Sequence, residues 1–290
     1  MKKIFHTPVL LDKVVEFLMP KPGKSYIDAT LGGGGHTFEI TKRGARVLGI
    51  DRDKQALEYV NSRMHMEQNL TLVQGNFSQI AEIAKSHGFS QVDGILFDLG
   101  VSSHQLETPQ RGFSFTKEGP LDMRMDQNLP ISAYDIVNNF EERRLNEIFK
   151  TYGQEKFSRS IASAICSARQ IEPINSTIRL AKIIQQATKR GVRKTKIHPA
   201  TKTFQAIRIV INSELLNLQE CLPQTISLLV HGGRLVIISF HSLEDALVKR
   251  FLKQDRQLRV LTPKPIGPAR SEIWQNPRAR SAKLRAAEKI

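Results

Sequence analysis

The chain has 290 residues, 40% hydrophobic and 24% charged, with a net charge of +15. That length allows one large domain or two modest ones, and the balance is that of a globular chain, not a disordered or fibrous one. Cys166 and Cys221 are too few for a disulfide framework or a cysteine-based zinc site, no metal is expected, and no run approaches the roughly 18 apolar residues of a membrane span.

After Met1-Lys-Lys, the residues Asp12, Lys13 and Glu16 break up the apolar positions, so the segment lacks a signal-peptide core. It reads as a helix with Thr7 as N-cap and Pro8 at the first helical position, and the chain is expected in the cytoplasm. Next comes Tyr26-Ile-Asp-Ala-Thr-Leu-Gly-Gly-Gly-Gly-His36, a buried strand running into four glycines. Glycine permits φ > 0 and lets a ligand lie against bare backbone. A second strand, Val47-Leu-Gly-Ile-Asp51, ends in an acid 16 positions after Gly35. Strand, glycine turn, helix, strand and acid is the order of elements that holds a nucleoside, with the carboxylate on the ribose hydroxyls. Thr37 stands where a dinucleotide fingerprint needs a third small residue, and no Gly-Lys-Ser/Thr follows for a phosphate loop. A nucleoside without phosphates fits better, and S-adenosylmethionine is the common one. The bland alternative is a glycine-rich turn with no ligand.

The first hundred residues alternate as βαβ units, with strands near 26–29, 46–51, 70–74 and 92–98 and helices near 36–43, 54–65 and 78–86. Asp51 is the first candidate for the cofactor. Asp53 faces the other way and begins the next helix. Phe77, after the third strand, can pack on an adenine or simply belong to the core. Asp98 closes an apolar run and is costly to bury unpaired, so it calls for a polar ligand or backbone donors. Gly100, Ser102, Ser103 and Gln105 follow it, and a capped loop is the plainer reading.

Gly232 to Phe240 reads as the next strand of the same sheet, with a helix starting at Ser242 and Asp245 in a capping-box-like position. The 133 residues between Gly100 and Arg234 exceed what one crossover needs. A helix over 203–222 and a short one opening at Pro223 supply the crossover. The rest is helical, with Ser132 and Ser176 as N-caps and apolar residues at helical spacing (Ile161, Ile165; Leu180, Ile184). The expected division is a discontinuous methyltransferase-like part, 1–104 and 201–290, around an inserted helical part, 105–200. Downstream, 258–262 and 281–287 form a final strand pair, although propensity alone favours a helix for 281–287 almost as well.

The charge is uneven. Residues 1–104 hold 12 Lys and Arg against 11 Asp and Glu, residues 105–200 hold 16 against 10, and residues 201–290 hold 15 against 7. Positive charge avoids the nucleoside segment and gathers after it, the footprint of a polyanion partner, nucleic acid first. A solvated basic surface without a partner is the alternative. Arg111-Gly-Phe-Ser-Phe115 mixes base and aromatics, so Arg111 and Phe113 are candidate RNA contacts, against a reading as packing. Arg193, Lys194 and Lys196, within five cations in eight residues, are further candidates, as are Arg278 and Arg280. No G-x-S-x-G elbow or HExxH helix is present, and neither cysteine has an activating context. Methyl transfer to an amine, oxygen or ring nitrogen therefore fits better than transfer to a pyrimidine carbon.

With these segments in place, the chain resembles the MraW-type methyltransferases, which methylate the exocyclic N4 amine of a cytidine in the decoding centre of small-subunit ribosomal RNA. The matching segments are His6-Thr-Pro-Val-Leu-Leu-Asp12, Gly33-Gly-Gly-His36, Asp98-Leu-Gly-Val-Ser-Ser103, Arg111 to Phe115, Pro120-Leu-Asp-Met-Arg-Met125, His198-Pro-Ala-Thr-Lys-Thr-Phe-Gln-Ala206, Ile238 to Asp245 and Asn276-Pro-Arg-Ala-Arg280. The resemblance implies an α/β class I methyltransferase fold, Rossmann-like with a mostly parallel sheet and a helical insertion, S-adenosylmethionine as donor, and small-subunit ribosomal RNA or the assembled subunit as partner. Carried over by position, the cofactor contacts are Gly34, Gly35, His36, Asp51, Phe77, Asp98 and Gln105, and Asp98 lies near the target amine. The usual amine-methylase signature at this strand end, an acid or amide before two prolines and an aromatic, is absent. Two other classes stay open, a non-catalytic RNA-binding assembly factor with a residual nucleoside pocket and a nicotinamide-dependent oxidoreductase.

Overall fold

The computed structural model describes residues 8–64, 68–188 and 198–290. The chain divides into two compact units, Met1–Ser102 with Leu215–Ile290, and Ser103–Glu214. In chain order the first unit opens with α1 (Leu11–Leu18), β1 (Ser25–Asp28), α2 (Gly35–Thr41), β2 (Arg46–Asp51), α3 (Lys54–Met64), β3 (Leu70–Gln74), α4 (Ile80–Ser86) and β4 (Val92–Asp98). The second unit holds α5 (Ser103–Glu107), α6 (Ala133–Asn139), α7 (Glu142–Thr151), α8 (Ser158–Ile171), α9 (Thr177–Thr188) and α10 (Ala200–Ile211). The chain continues through α11 (Glu214–Leu228), β5 (Leu229–Ser239), α12 (Ser242–Gln254), β6 (Leu258–Val260), α13 (Arg270–Gln275) and β7 (Lys283–Lys289).

The seven strands form one sheet in the order β3-β2-β1-β4-β5-β7-β6. β1 to β5 pair in parallel, and β7 runs antiparallel between β5 and β6. Both faces are covered, which is why the central strands read as unbroken apolar runs. Ile95 and Phe97 of β4 enter one core with Leu48, Ile50, Leu235 and Ile237, while Leu96 enters the other with Val47, Val236 and Ile238. Each such side chain, fully buried, contributes on the order of 1.5–3 kcal/mol. The strand order reverses between β1 and β4, so a crevice is expected beyond their carboxyl ends.

Local chemistry corrects several boundaries. The first helix begins at Leu11, not at Pro8, after a left-handed Leu10 at φ 54°; Thr7 lies outside the described residues. α12 is capped one residue earlier than expected: the His241 side chain accepts the Glu244 N–H, and Glu244 caps back to His241. Asp245 is taken by Arg285 at 2.6 Å and Lys283 at 3.1 Å, which hold its carboxyl low although burial alone would raise it. The crossover breaks at Asn212 and Ser213, where Ser213 has φ 49°, and Pro223 lies inside α11 without ending it. Residues 283–289 are a strand, because Leu284 and Ala286 enter one core and Ala287 the other, burial that outweighs helix propensity.

In the second unit Ser132 and Asp135 form a capping box on α6. The Ser176 hydroxyl accepts the Arg179 N–H at 3.3 Å. Ile161 and Ile165 of α8, with Leu180 and Ile184 of α9, are buried as their spacing implies.

Candidate active site

Three acids stand at the carboxyl ends of neighbouring strands: Asp51 on β2, Asp28 on β1 and Asp98 on β4. Asp51 closes the glycine turn. Its Oδ2 accepts the Gly32 N–H at 2.8 Å and its Oδ1 the Asp53 N–H at 2.8 Å. Each carboxylate oxygen keeps a second lone pair, so a diol can still be accepted. Burial lifts the Asp51 carboxyl to about 6, outweighing the two backbone donors that favour its charge. Asp53 serves α3, its Oδ1 accepting the Gln55 N–H at 3.1 Å.

The glycines divide their work. Gly34, left-handed at φ 72°, caps α2, and a Cβ there would stand 2.9 Å from Val60 Cγ2. At Gly35 a Cβ would meet Pro8 at 3.0 Å. Both are small because protein packs on them. Gly32 is different: at φ 50° its Cβ would meet, among the described residues, only the Thr30 carbonyl, 3.9 Å away, so no described side chain packs on that backbone.

Behind the turn lies a buried polar cluster. The Thr37 hydroxyl donates to Asp28 Oδ2 at 2.7 Å, and the Thr30 N–H reaches Asp28 Oδ1 at 3.3 Å. The Asp98 N–H donates to the Thr30 hydroxyl at 2.6 Å, tying β4 to the end of β1. His36 Nε2 lies 3.0 Å from the Val9 carbonyl, which can only accept, so that nitrogen carries its proton. Its Nδ1 faces Asp98 Oδ2 at 3.7 Å. Desolvation drives the Asp28 carboxyl above its ordinary value, against the lowering pull of His36 and the Thr37 hydroxyl.

The structure thus brings Gly34, Gly35, His36, Asp51 and Asp98 to one end of the sheet. Phe77 follows β3, edge-on to Phe97 with centroids 5.7 Å apart and with the Arg52 guanidinium 5.6 Å from its ring. Gln105 is buried in α5 of the second unit. Asp28, Thr30 and Thr37 went unmarked. Their signal was an acid inside the run Tyr26-Ile-Asp-Ala29, the same costly burial that singled out Asp98.

Among the RNA candidates, Arg111 is only 1% exposed, and its Nη2 donates to the Arg124 and Met125 carbonyls at 3.0 and 2.9 Å. Phe113 is buried, 5.9 Å from that guanidinium. Both brace the loop 111–126 and present no surface to a polyanion. Asn212 completes the brace by accepting the Met125 N–H at 2.8 Å and donating to the Met123 carbonyl at 2.9 Å. Arg278 and Arg280 are exposed. Arg193, Lys194 and Lys196 lie outside the described residues. Burial raises both thiols, Cys166 and Cys221, the opposite of an activated nucleophile.

A Gly32 backbone on which no described side chain packs and a diol-ready Asp51 suit an unphosphorylated nucleoside, and a mostly parallel sheet whose order reverses between β1 and β4 sets them in the crevice beyond the strands. This is the class I fold of methyltransferases that use S-adenosylmethionine. The chain belongs to the MraW methylase family, which it matches over residues 3–290. It is similar to the "Ribosomal RNA small subunit methyltransferase H" of Halothermothrix orenii, 45% identical over 98% of each chain. It is 50% identical to the protein of that name from Deinococcus radiodurans, over 98% of this chain and 89% of the relative. Among solved structures, an rRNA methylase from Streptococcus thermophilus superposes with a TM-score of 0.44 at 13% identity, covering 97% of this chain and 93% of that one. Among the described residues no helix is long and apolar enough to cross a membrane.

Proposed function

We propose that this protein methylates the exocyclic N4 amine of a cytidine in the decoding centre of small-subunit ribosomal RNA. The observation that carries this reading is the 45–50% identity, across almost the whole chain, to proteins named as small-subunit ribosomal RNA methyltransferases. The charge agrees, being near balance through residue 104 and strongly positive after it.

Gly32, Gly34, Gly35, His36, Asp51, Phe77 and Asp98 would hold the donor, which supplies a sulfonium-activated methyl group when bound. Asp51 accepts the ribose hydroxyls through its free lone pairs. The amine's lone pair is delocalised into the pyrimidine ring and must be localised for attack. The Asp98 carboxylate, accepting an amine N–H, favours that localisation and receives the proton as the nitrogen becomes cationic. Positioning contributes much of the rate, so the rigid tie from Asp98 through Thr30 to Asp28 keeps the acceptor in place. Arg278 and Arg280, with Arg193, Lys194 and Lys196, contact phosphates. An amine inside a base pair cannot reach the donor, so the target must be unpaired or extruded.

Mass-spectrometric nucleoside analysis of small subunits and of a short cytidine oligonucleotide, each incubated with protein and donor, tests the reading. N4-methylcytidine in the subunit's RNA, with little in the oligonucleotide, is expected. Methylation at a ring carbon or a ribose oxygen, or none in either substrate, would overturn it.

A further inference from the structure

Trp274 is the single tryptophan of the chain and is 87% exposed. It is not on a fraying end. Its helix, α13, is fastened through Glu272, whose Oε1 accepts the Leu10 N–H at 2.7 Å, and the Asn276 N–H closes the last turn on the Glu272 carbonyl at 2.7 Å. With Glu272 turned inward and Ile273 half-buried, the helix holds the indole outward. Arg270, four residues earlier, shares that outward face and is exposed. The 3-10 turn Pro277–Ser281 follows, with Ala279 buried and Arg278 and Arg280 exposed on either side of it. From Pro263 to Ser281 the cations are Lys264, Arg270, Arg278 and Arg280, and the single acid is Glu272, whose Oε1 accepts the Leu10 N–H.

A large aromatic face held outward beside arginines is the amphipathic kind of group that interfaces favour. An apolar protein pocket offers nothing to the charges of Lys264, Arg270 and Arg280. An unpaired nucleobase with its phosphates matches both, the base stacking on the indole and the phosphates meeting the guanidinium groups. We propose that Trp274 is a stacking platform for an unpaired base of the RNA substrate, flanked by Arg270 and Arg280 as phosphate contacts. The proposal rests on the RNA reading above and assigns that substrate a second contact besides the methylated base.

The lone tryptophan makes the test direct, because the protein's tryptophan emission comes from position 274 alone. The full-length protein is titrated with end-labelled single-stranded oligocytidylate and with naked small-subunit ribosomal RNA, and label anisotropy reports binding independently. Quenching of the emission in step with anisotropy is expected. Trp274→Ala should bind about tenfold more weakly, Trp274→Phe should keep most of the affinity, and Arg270→Ala should flatten the salt dependence by about one phosphate. Donor affinity should not change, which separates stacking from misfolding. Emission unchanged at saturating RNA, or equal affinity for Trp274→Ala, would overturn the platform even if cytidine methylation proceeds. Quenching only when intact small subunits are titrated in a third arm, with naked RNA bound silently, would overturn it in favour of a protein contact. Absence of both RNA binding and methylation would instead refute the functional reading beneath it.

Discussion

Asp51 and Arg111 both carry charge, and both stand beside glycines in segments whose composition suggests a ligand. Asp51 is held at the end of β2 by two backbone donors, one of them in the glycine turn, and each oxygen keeps a second lone pair. Arg111 is turned into its own loop, its guanidinium donating to the carbonyls of Arg124 and Met125. The two are distinguished by what the backbone around them needs. A parallel strand ends with spare donors and a carboxylate satisfies two of them, leaving capacity over. A long loop without secondary structure has carbonyls that must be paired, and one arginine pairs two at once.

The comparison can be broken experimentally, starting with the largest expected effect. Replacing Asp98 with Ala removes the proposed N–H acceptor and should lower the single-turnover rate of methyl transfer about a hundredfold or more. A rate within a fewfold of the parent would remove Asp98 from the chemistry. Arg111→Ala should cost about 2–4 kcal/mol of stability, because two buried carbonyls lose a charged donor. Both bonds leave one nitrogen, Nη2, which an ammonium can imitate without the guanidinium's reach and planarity, so Arg111→Lys should recover part of the loss in urea denaturation. If instead Arg111→Ala is fully stable and only RNA binding drops, the arginine faces the substrate after all.

Asp51→Ala should weaken donor binding at least tenfold by calorimetry with the fold intact, since each lost bond to the carboxylate contributes about 1.5–3 kcal/mol before compensation. A gentler probe of the same group is pH. The unliganded Asp51 carboxyl titrates at about 6, and the ribose hydroxyls favour its charged form, so donor affinity should fall as pH drops below about 6. The fold responds with the other sign. A carboxyl raised from 3.8 to about 6 binds more protons folded than unfolded, so its contribution to stability is present in acid and declines as pH rises through that window. Asp51→Asn should flatten the affinity profile between pH 5 and 7.5, and an unchanged profile would assign the titration to another group.

The smallest effect is electrostatic. Arg278→Ala with Arg280→Ala should flatten the salt dependence of RNA binding by about two counterions, with donor affinity constant. Arg193, Lys194 and Lys196, replaced together, should flatten it by about three. A loss of donor binding from either set would mean that the basic segments serve the nucleoside end.

By itself the sequence determined the periodic elements and the ligand class. β2 and β4 were legible to the residue because a strand buried on both faces is an apolar run with polar punctuation; β3, the half-buried edge strand, was legible from its β-rich run, and the glycine turn followed by Asp51 needs no partner to be recognised. Tertiary structure decided everything that depends on which groups meet. Asp28 counts at the site only because β1 lies beside β4 and Thr30 ties their ends together. Residues 283–289 became a strand because two edges of the sheet were waiting for them, and helix propensity could not supply that burial. Arg111 and Phe113 read as ligand contacts because composition reports charge and aromaticity but not direction; Trp274, carrying the same kind of signal, is turned outward by the anchoring of its helix through Glu272. Periodicity is a property of neighbours in sequence, whereas the facing of an irregular loop is set by distant hydrogen-bond partners, and those exist only once the chain is folded.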